Sequence, residues 1–151
     1  GLGYLYLDSK ILELLSIYLS EVLELDILAR NGVVLSRTEQ SAILEAKRII
    51  DNEIAYAPTC EILSKMVHLS LSKLTKGFSN MFGVPIHSYI IDQRLTKAAR
   101  LLLDSNMNVG EIAAIVGYPK PSNFSAAFKR KYGVVPKNYK DTQMITQIRH
   151  K

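Results

Sequence analysis

The stretch NVGEIAAIVGYPKPSNFSAAFKRKYGVVPKNYK, residues 108–140, decides the fold of this chain. Phe124, Phe128 and Tyr132 recur every four residues, which predicts one buried face of a helix. The residues between them are short polar groups and cations, with little acid to balance them. The helix therefore has an apolar side that packs and an outward side suited to something negative.

A second, shorter helix precedes this one. Asn108 and Glu111 have the spacing of a capping box, which predicts a helix start. Gly117 suits the positive φ that ends the short helix and begins a turn, and Pro121 suits the first turn of the helix that follows. A short helix, a tight turn and a longer helix form a helix-turn-helix arrangement.

The chain contains this arrangement twice. At an offset of 50 residues, Phe78 matches Phe128 and Tyr89 matches Tyr139, while one extra residue in the second turn shifts the earlier part to an offset of 49. We expect Ser70 to cap the longer helix of the first unit. Residues 88–104 read as a connecting helix, with a buried stripe formed by Ile91, Leu95, Ala98 and Leu102.

Two more helices are predicted before the repeat, over residues 8–28 and 37–53. Gly32 is a suitable C-cap for the first, and the SRTE stretch (36–39) has capping-box spacing for the second. Apolar residues of the first helix at 11, 15, 18, 22 and 25 have coiled-coil spacing. They form either a dimer seam or a face that packs on the 37–53 helix of the same chain.

The sequence predicts an all-α fold: two helix-turn-helix units joined by a long helix and preceded by two helices. We divide it into a helical linker and possible dimerisation segment (1–54), a double helix-turn-helix domain (55–141) and a tail (142–151). The domain comprises a first unit (55–87), a connecting helix (88–104) and a second unit (105–141). The N-terminus lacks the basic start and cleavage site of a signal peptide, so we expect none. It also lacks an initiator Met, so we expect a fragment of a longer protein.

Charge is distributed unevenly along the chain. Residues 1–53 hold five cations and nine acids, a net charge of −4, whereas residues 54–151 hold fourteen cations and five acids, a net charge of +9. This asymmetry favours a polyanionic partner for the second part. The single Cys60 excludes an internal disulfide and suits a reducing cytosol.

These residues carry a family resemblance. RLTKAARLLL (94–103) with residues 108–140, and more loosely residues 63–90, resemble the DNA-binding domain of AraC/XylS bacterial transcription regulators. Residues 1–54 are similar to the segment that precedes this domain. The DSKILELL and KLTKGFSNMFG stretches look most like the subgroup that controls siderophore uptake.

The resemblance implies that two recognition helices enter successive major grooves of one DNA face, about 34 Å apart. Short polar groups can read base edges there and cations can neutralise phosphate. The candidate DNA-binding residues are Ser72, Lys73, Thr75, Lys76, Lys120, Pro121, Ser122, Asn123, Ser125, Ala126, Lys129 and Arg130. Lys131 belongs to the same basic run. Ala126 stands where the family often has arginine, so we expect the first unit to supply more of the hydrogen-bonded readout.

The function predicted is sequence-specific binding of double-stranded DNA by a transcription regulator, without catalysis, cofactor or metal. The alternative is a helical interaction module whose basic face docks an acidic partner such as RNA polymerase. A homodimer through residues 8–28 is a further possible partner. We expect a cytoplasmic, nucleoid-associated protein that does not enter a membrane.

Overall fold

The computed structural model describes residue 4, residues 7–19 and residues 34–149. Within these ranges the regular elements are helical, which confirms the all-α prediction. Residues 7–19 form a helical stretch. The elements that follow are α1 (Arg37–Asn52), a 3-10 helix (Ile54–Tyr56), α2 (Cys60–Met66), α3 (Leu71–Phe82), α4 (Ile86–Asp104), α5 (Val109–Ile115), α6 (Pro121–Tyr132) and α7 (Pro136–Arg149).

The predicted caps form. In α1, the Ser36 hydroxyl accepts from the Glu39 backbone N–H at 3.1 Å while the Glu39 carboxylate accepts from the Ser36 N–H at 3.0 Å. Asn108 and Glu111 make the same reciprocal pair at the start of α5. Ser70 caps α3 by accepting from the Lys73 N–H at 3.2 Å. Each cap satisfies donors that a helix start otherwise leaves without partners.

The first core joins α1 to the first helix-turn-helix unit. Its buried side chains come from α1, the 3-10 helix, α2, α3 and the start of α4: Ile43, Ala46, Ile50, Ile54, Leu63, Val67, Leu74, Phe78 and Ile86. Helix α1 is therefore packed into the first unit although the sequence division placed it in the linker.

The second core joins the rest of α4 to the second unit. It contains Leu95, Ala98, Ala99, Ile112, Ala113, Val116, Phe124, Ala127, Phe128 and Tyr139. Aromatic rings contact one another within it. The ring centroid of Phe128 lies 4.6 Å from that of Tyr132 and 5.2 Å from that of Tyr139. The connecting helix thus contributes its first turn to one core and its middle to the other.

The helix bounds differ from the predicted ones at a few points. The connecting helix α4 begins at Ile86, two residues earlier than expected. Residues 142–149, assigned to a tail, continue helix α7. Of the predicted 8–28 helix, residues 8–19 are described and helical, while 20–28 and Gly32 lie outside the described residues.

The apolar stripe of the N-terminal stretch is exposed. Ile11 is 50% and Leu15 48% accessible, so this described part of the stripe does not pack on α1. None of the helices that the structure describes is long and apolar enough to cross a membrane.

Candidate nucleic-acid interface

The turn of each unit contains a residue with positive φ. Gly117 has φ of 95°, as predicted, and His68 occupies the equivalent place in the first turn with φ of 56°. A left-handed residue strains any side chain with a Cβ. Both turns nevertheless lead into helices of twelve residues, α3 and α6, which end in left-handed glycines, Gly83 and Gly133. The two units are therefore structural repeats, with α3 and α6 in the place of recognition helices.

Ser72 and Lys76 lie on the outward face of α3, and both are exposed. Thr75 is half-buried, and its hydroxyl donates to the Leu71 carbonyl at 2.9 Å. The proton of Thr75 is thus already committed within the helix, and its oxygen remains as an acceptor and its methyl as an apolar contact. Lys76 is the long cationic side chain exposed on this face, and it can extend to a base edge or a phosphate.

Lys73 is held by an acid. Its ammonium donates to the Glu39 carboxylate at the start of α1, and the two also form an ion pair. The hydrogen bond from Lys73, followed by that from the Ser36 backbone, lowers the pKa of the Glu39 carboxyl below its usual 4.5. The positive charge of Lys73 is therefore balanced within the chain, which reduces what it can offer to phosphate.

The α3 face extends further than the sequence analysis proposed. An open groove beside the helix is lined by Thr75, Lys76, Ser79 and Asn80. In the described part of the chain, the buried amide nitrogen of Asn80 has no hydrogen-bond partner. Positions 72, 75, 76 and 79 are spaced to lie on one helix face. This spacing could have identified Ser79 from the sequence as a further residue of the outward face of α3.

The start of α6 is open and exposed. Lys120 occupies the N-cap without a side-chain capping bond, and Pro121 is the first helical residue. Ser122, Asn123 and Ala126 are exposed and Ser125 is half-buried. Pro121 has no N–H, and the Asn123 and Phe124 N–H groups donate to the Lys120 carbonyl, so the start of α6 offers few free backbone donors to an anion.

The three cations near the end of α6 are all exposed, and the third also contacts the connecting helix. Lys129 and Arg130 are at the surface, as the predicted phosphate contacts require. Lys131 donates to the Asp92 carboxylate at 2.5 Å and to the Thr96 hydroxyl at 2.8 Å on α4. The charge of Lys131 is therefore partly balanced by Asp92 on the connecting helix, and its contact with phosphate stays a prediction.

Other reactive groups lie outside this surface. Burial, and then the charge of Glu61, raises the pKa of the Cys60 thiol, so the nucleophilic thiolate is disfavoured. In the described ranges, His, Cys, Asp and Glu side chains form no group of three that could hold a metal.

Two equivalent helix-turn-helix units, joined by a long helix and carrying cations on α3 and α6, define a double helix-turn-helix domain of the kind found in DNA-binding transcription regulators. The family described as a helix-turn-helix domain matches residues 63–142. The chain belongs to this family, in its AraC-type branch.

Named relatives agree with this placement. The chain is 32% identical over 100 residues to the xylose operon regulatory protein of Escherichia coli strain K12, covering 66% of this chain and 26% of that protein. The structure of the xylose-binding transcription activator xylR is similar at 30% identity and a TM-score of 0.61, covering 73% of this chain and 28% of that one. The DNA-binding domain of AdpA, solved with a target DNA, has the same fold, with a TM-score of 0.63 at 24% identity over 66% of this chain and 90% of that chain.

Proposed function

We propose that this chain is the DNA-reading part of a bacterial transcription regulator, with α3 and α6 inserted into successive major grooves. The observation that carries the proposal is the repeat itself: two units of matching helix lengths and left-handed glycine C-caps present two helices whose sequences contain no Asp or Glu. A surface of hydroxyls and cations on a helix suits base edges and phosphates.

The two helices differ in what they offer to DNA. On α3, Ser72, Thr75 and Lys76 supply hydroxyls and a cation, and lysine is suited to guanine O6 and N7. On α6, Pro121 and Ala126 lack side-chain donors, so this helix reads methyl groups and shape, with Ser122 as its hydrogen-bonding group. Lys129 and Arg130 then neutralise phosphate where α6 leaves the groove.

Further partners follow from the surface. A second copy of the chain would pair through residues 8–28, since the apolar stripe of the described portion, residues 8–19, is exposed. RNA polymerase is the candidate acidic partner for any basic surface that DNA leaves free. As a regulator that binds chromosomal DNA, the protein would act in the cytoplasm on the nucleoid. We expect no catalysis, and the siderophore-uptake subgroup stays a prediction.

Fluorescence anisotropy on a labelled random-sequence duplex tests the basic proposal. We expect binding that weakens steeply between two salt concentrations, because each phosphate contact releases counterions. Replacing Lys129 and Arg130 by alanine should reduce the salt slope by about 2. The matched control replaces Arg48, an exposed arginine of α1 paired with Glu45, and should leave the slope unchanged. Binding that ignores salt would contradict the proposal and favour the protein-interaction alternative.

A further inference from the structure

The two units meet at a junction formed by one arginine. Arg94, on the connecting helix α4, donates from Nε to the Ile54 carbonyl at 2.9 Å and from Nη2 to the Ala55 carbonyl at 3.2 Å. Its Nη1 donates to the Gly117 carbonyl at a longer 3.4 Å. The first two acceptors belong to the 3-10 helix of the first unit, and the third lies in the turn of the second unit.

The three carbonyls are of the kind that helix ends leave without partners. Ile54 and Ala55 lie in a short 3-10 helix, and Gly117 follows the C-cap of α5. A guanidinium carries five N–H donors in a rigid plane, so it can satisfy several carbonyls from different segments at once. Lysine, with a single ammonium on a flexible stem, cannot reproduce that geometry.

The backbones at the junction are in close contact. A Cβ placed on Gly117 would lie 2.5 Å from the Ala55 carbonyl oxygen and 2.9 Å from its Cα. The glycine therefore lets the turn of the second unit approach the 3-10 helix of the first. The ring of Tyr118 adds a cation–π contact, with its centroid 6.0 Å from the Arg94 guanidinium carbon.

The remaining connection between the units is the helix α4, which has an open cleft beside it. The first core includes Ile86 at the start of α4, whereas the second begins at Leu95. An open cleft of about 500 Å³ separates the end of α1 and the 3-10 helix from α4, and its lining includes Asp51, Gln93 and Arg100. A continuous helix still curves gently, so direct contacts between the units add to what α4 does to fix their angle.

We propose that Arg94 is a positioning residue that fixes the angle between the two helix-turn-helix units, and through it the setting of α3 relative to α6 on DNA. The part concerning DNA rests on the proposed function, whereas the part concerning the angle does not. Two modules held at one angle bind two sites together only when the spacing of the sites matches.

A distance measurement without DNA tests the angle. In a Cys60→Ser background, spin labels at Lys65→Cys and Lys137→Cys place one probe on α2 and one on α7, both exposed. We expect a narrow distance distribution for this protein and a distribution about twofold broader after Arg94→Ala. Arg94→Lys should broaden it as well, while His87→Ala, exposed in the first turn of the same helix, should not. A melting curve for each variant ensures that the measurement is made below its unfolding transition.

A second measurement connects the angle to DNA, using a duplex with two selected boxes and a duplex with one. Arg94→Ala should weaken binding to the two-box duplex about tenfold and leave binding to the one-box duplex unchanged. An unchanged distance distribution in Arg94→Ala, or a broad one in the parent protein, would overturn the proposal. Equal weakening on both duplexes would overturn the role of the angle in DNA binding. A broadened distribution together with no DNA binding by any variant would support the junction and refute the proposed function.

Discussion

Lys76 is the residue whose replacement separates base reading from phosphate binding. It is exposed on α3, whereas the neighbouring Lys73 is paired with Glu39. We expect Lys76→Ala to weaken binding to a selected DNA site by about 1–3 kcal/mol, with a smaller effect on random DNA. Anisotropy titrations on both duplexes measure the difference. Lys129→Ala serves as the comparison, because losing a phosphate contact should weaken binding to both duplexes equally. Equal losses for Lys76→Ala would show that it contacts only phosphate.

The Glu39–Lys73 contact predicts a pH dependence of stability. The folded-state pKa of the Glu39 carboxyl is below the usual 4.5 because Lys73 and the Ser36 N–H bind its charged form. Folding therefore favours the ionised Glu39 carboxylate. Its contribution to the free energy of unfolding is fully present above the pKa of the unfolded state, and it is lost as the pH falls through the lower pKa of the folded state. Glu39→Gln should therefore unfold at a lower denaturant concentration than the parent protein at pH 7.

This difference should shrink as the pH falls below about 4, because protonated glutamate and glutamine then differ little in charge. Denaturant melts at a series of pH values measure it. Glu45→Gln is a comparison rather than a pH-independent control: Arg48 lowers the pKa of Glu45, so its gap should also shrink at low pH, but the pair lies within α1 and does not reach α3. A constant gap between Glu39→Gln and the parent protein from pH 7 to pH 3 would contradict the assignment.

The two turns should respond oppositely to substitution. His68 holds a φ of 56° that glycine adopts without strain, so His68→Gly should raise the free energy of unfolding by up to about 1 kcal/mol. Gly117→Ala should lower it by about 2 kcal/mol or more, since its Cβ would strike the Ala55 backbone. Thermal melts of the two variants measure these changes. A destabilised His68→Gly protein would show that the imidazole makes a contact worth more than the backbone strain.

At the scale of elements, the close approach of α1 and α3 depends on Gly77. A Cβ at this position would lie 2.4 Å from Cδ1 of Ile43, a fully buried side chain of α1. The approximately 1 kcal/mol that alanine gains over glycine in a helix is then opposed by steric overlap in the first core. We expect Gly77→Ala to be destabilising overall.

Ile43→Val removes the overlapping methyl and by itself costs about 0.5–1.5 kcal/mol. The double variant should therefore lose less stability than the sum of the two single variants. A double-mutant cycle from denaturant melts measures this coupling. Additive losses would contradict the placement of α1 against Gly77.

Sequence periodicity predicted the elements because each signal is local. Capping pairs such as Asn108 with Glu111, and the four-residue spacing of Phe124 and Phe128, depend on residues within one or two turns of each other. The continuation of the helix through residues 142–149 was missed because its polar and apolar residues show no clear one-sided pattern, although no stop signal follows Tyr139.

Contacts between distant segments could not be predicted in the same way. The partner of Lys131 is Asp92 and that of Lys73 is Glu39, 39 and 34 residues away. Both lysines belong to basic stretches that read equally well as solvated or as phosphate-binding surfaces. The packing of α1 into the first unit and the reach of Arg94 across both units likewise follow from tertiary placement, for which one sequence carries no local signal.

At the scale of the whole molecule, the proposed fixed angle between the two units predicts that DNA adapts to the protein. If Arg94 and the close contact at Gly117 hold the units at one angle, a straight duplex that does not match this angle must bend. Such bending costs a few kcal/mol and favours sites whose intervening sequence is flexible. We expect circular-permutation gel shifts on a selected site to show a bend, and a reduced bend for Arg94→Ala. A straight duplex in the complex with the parent protein would contradict the fixed angle.

The central claim is that both units read DNA, and a selection from random duplexes tests it most directly. The bound duplexes are sequenced, and the affinity of the enriched site is measured at two salt concentrations. We predict two short boxes about one helical turn apart, with a better-defined sequence in the box read by α3 and binding that weakens steeply with salt. A single enriched box would show that α6 only positions phosphate, and a pool without any enriched sequence would contradict the claim.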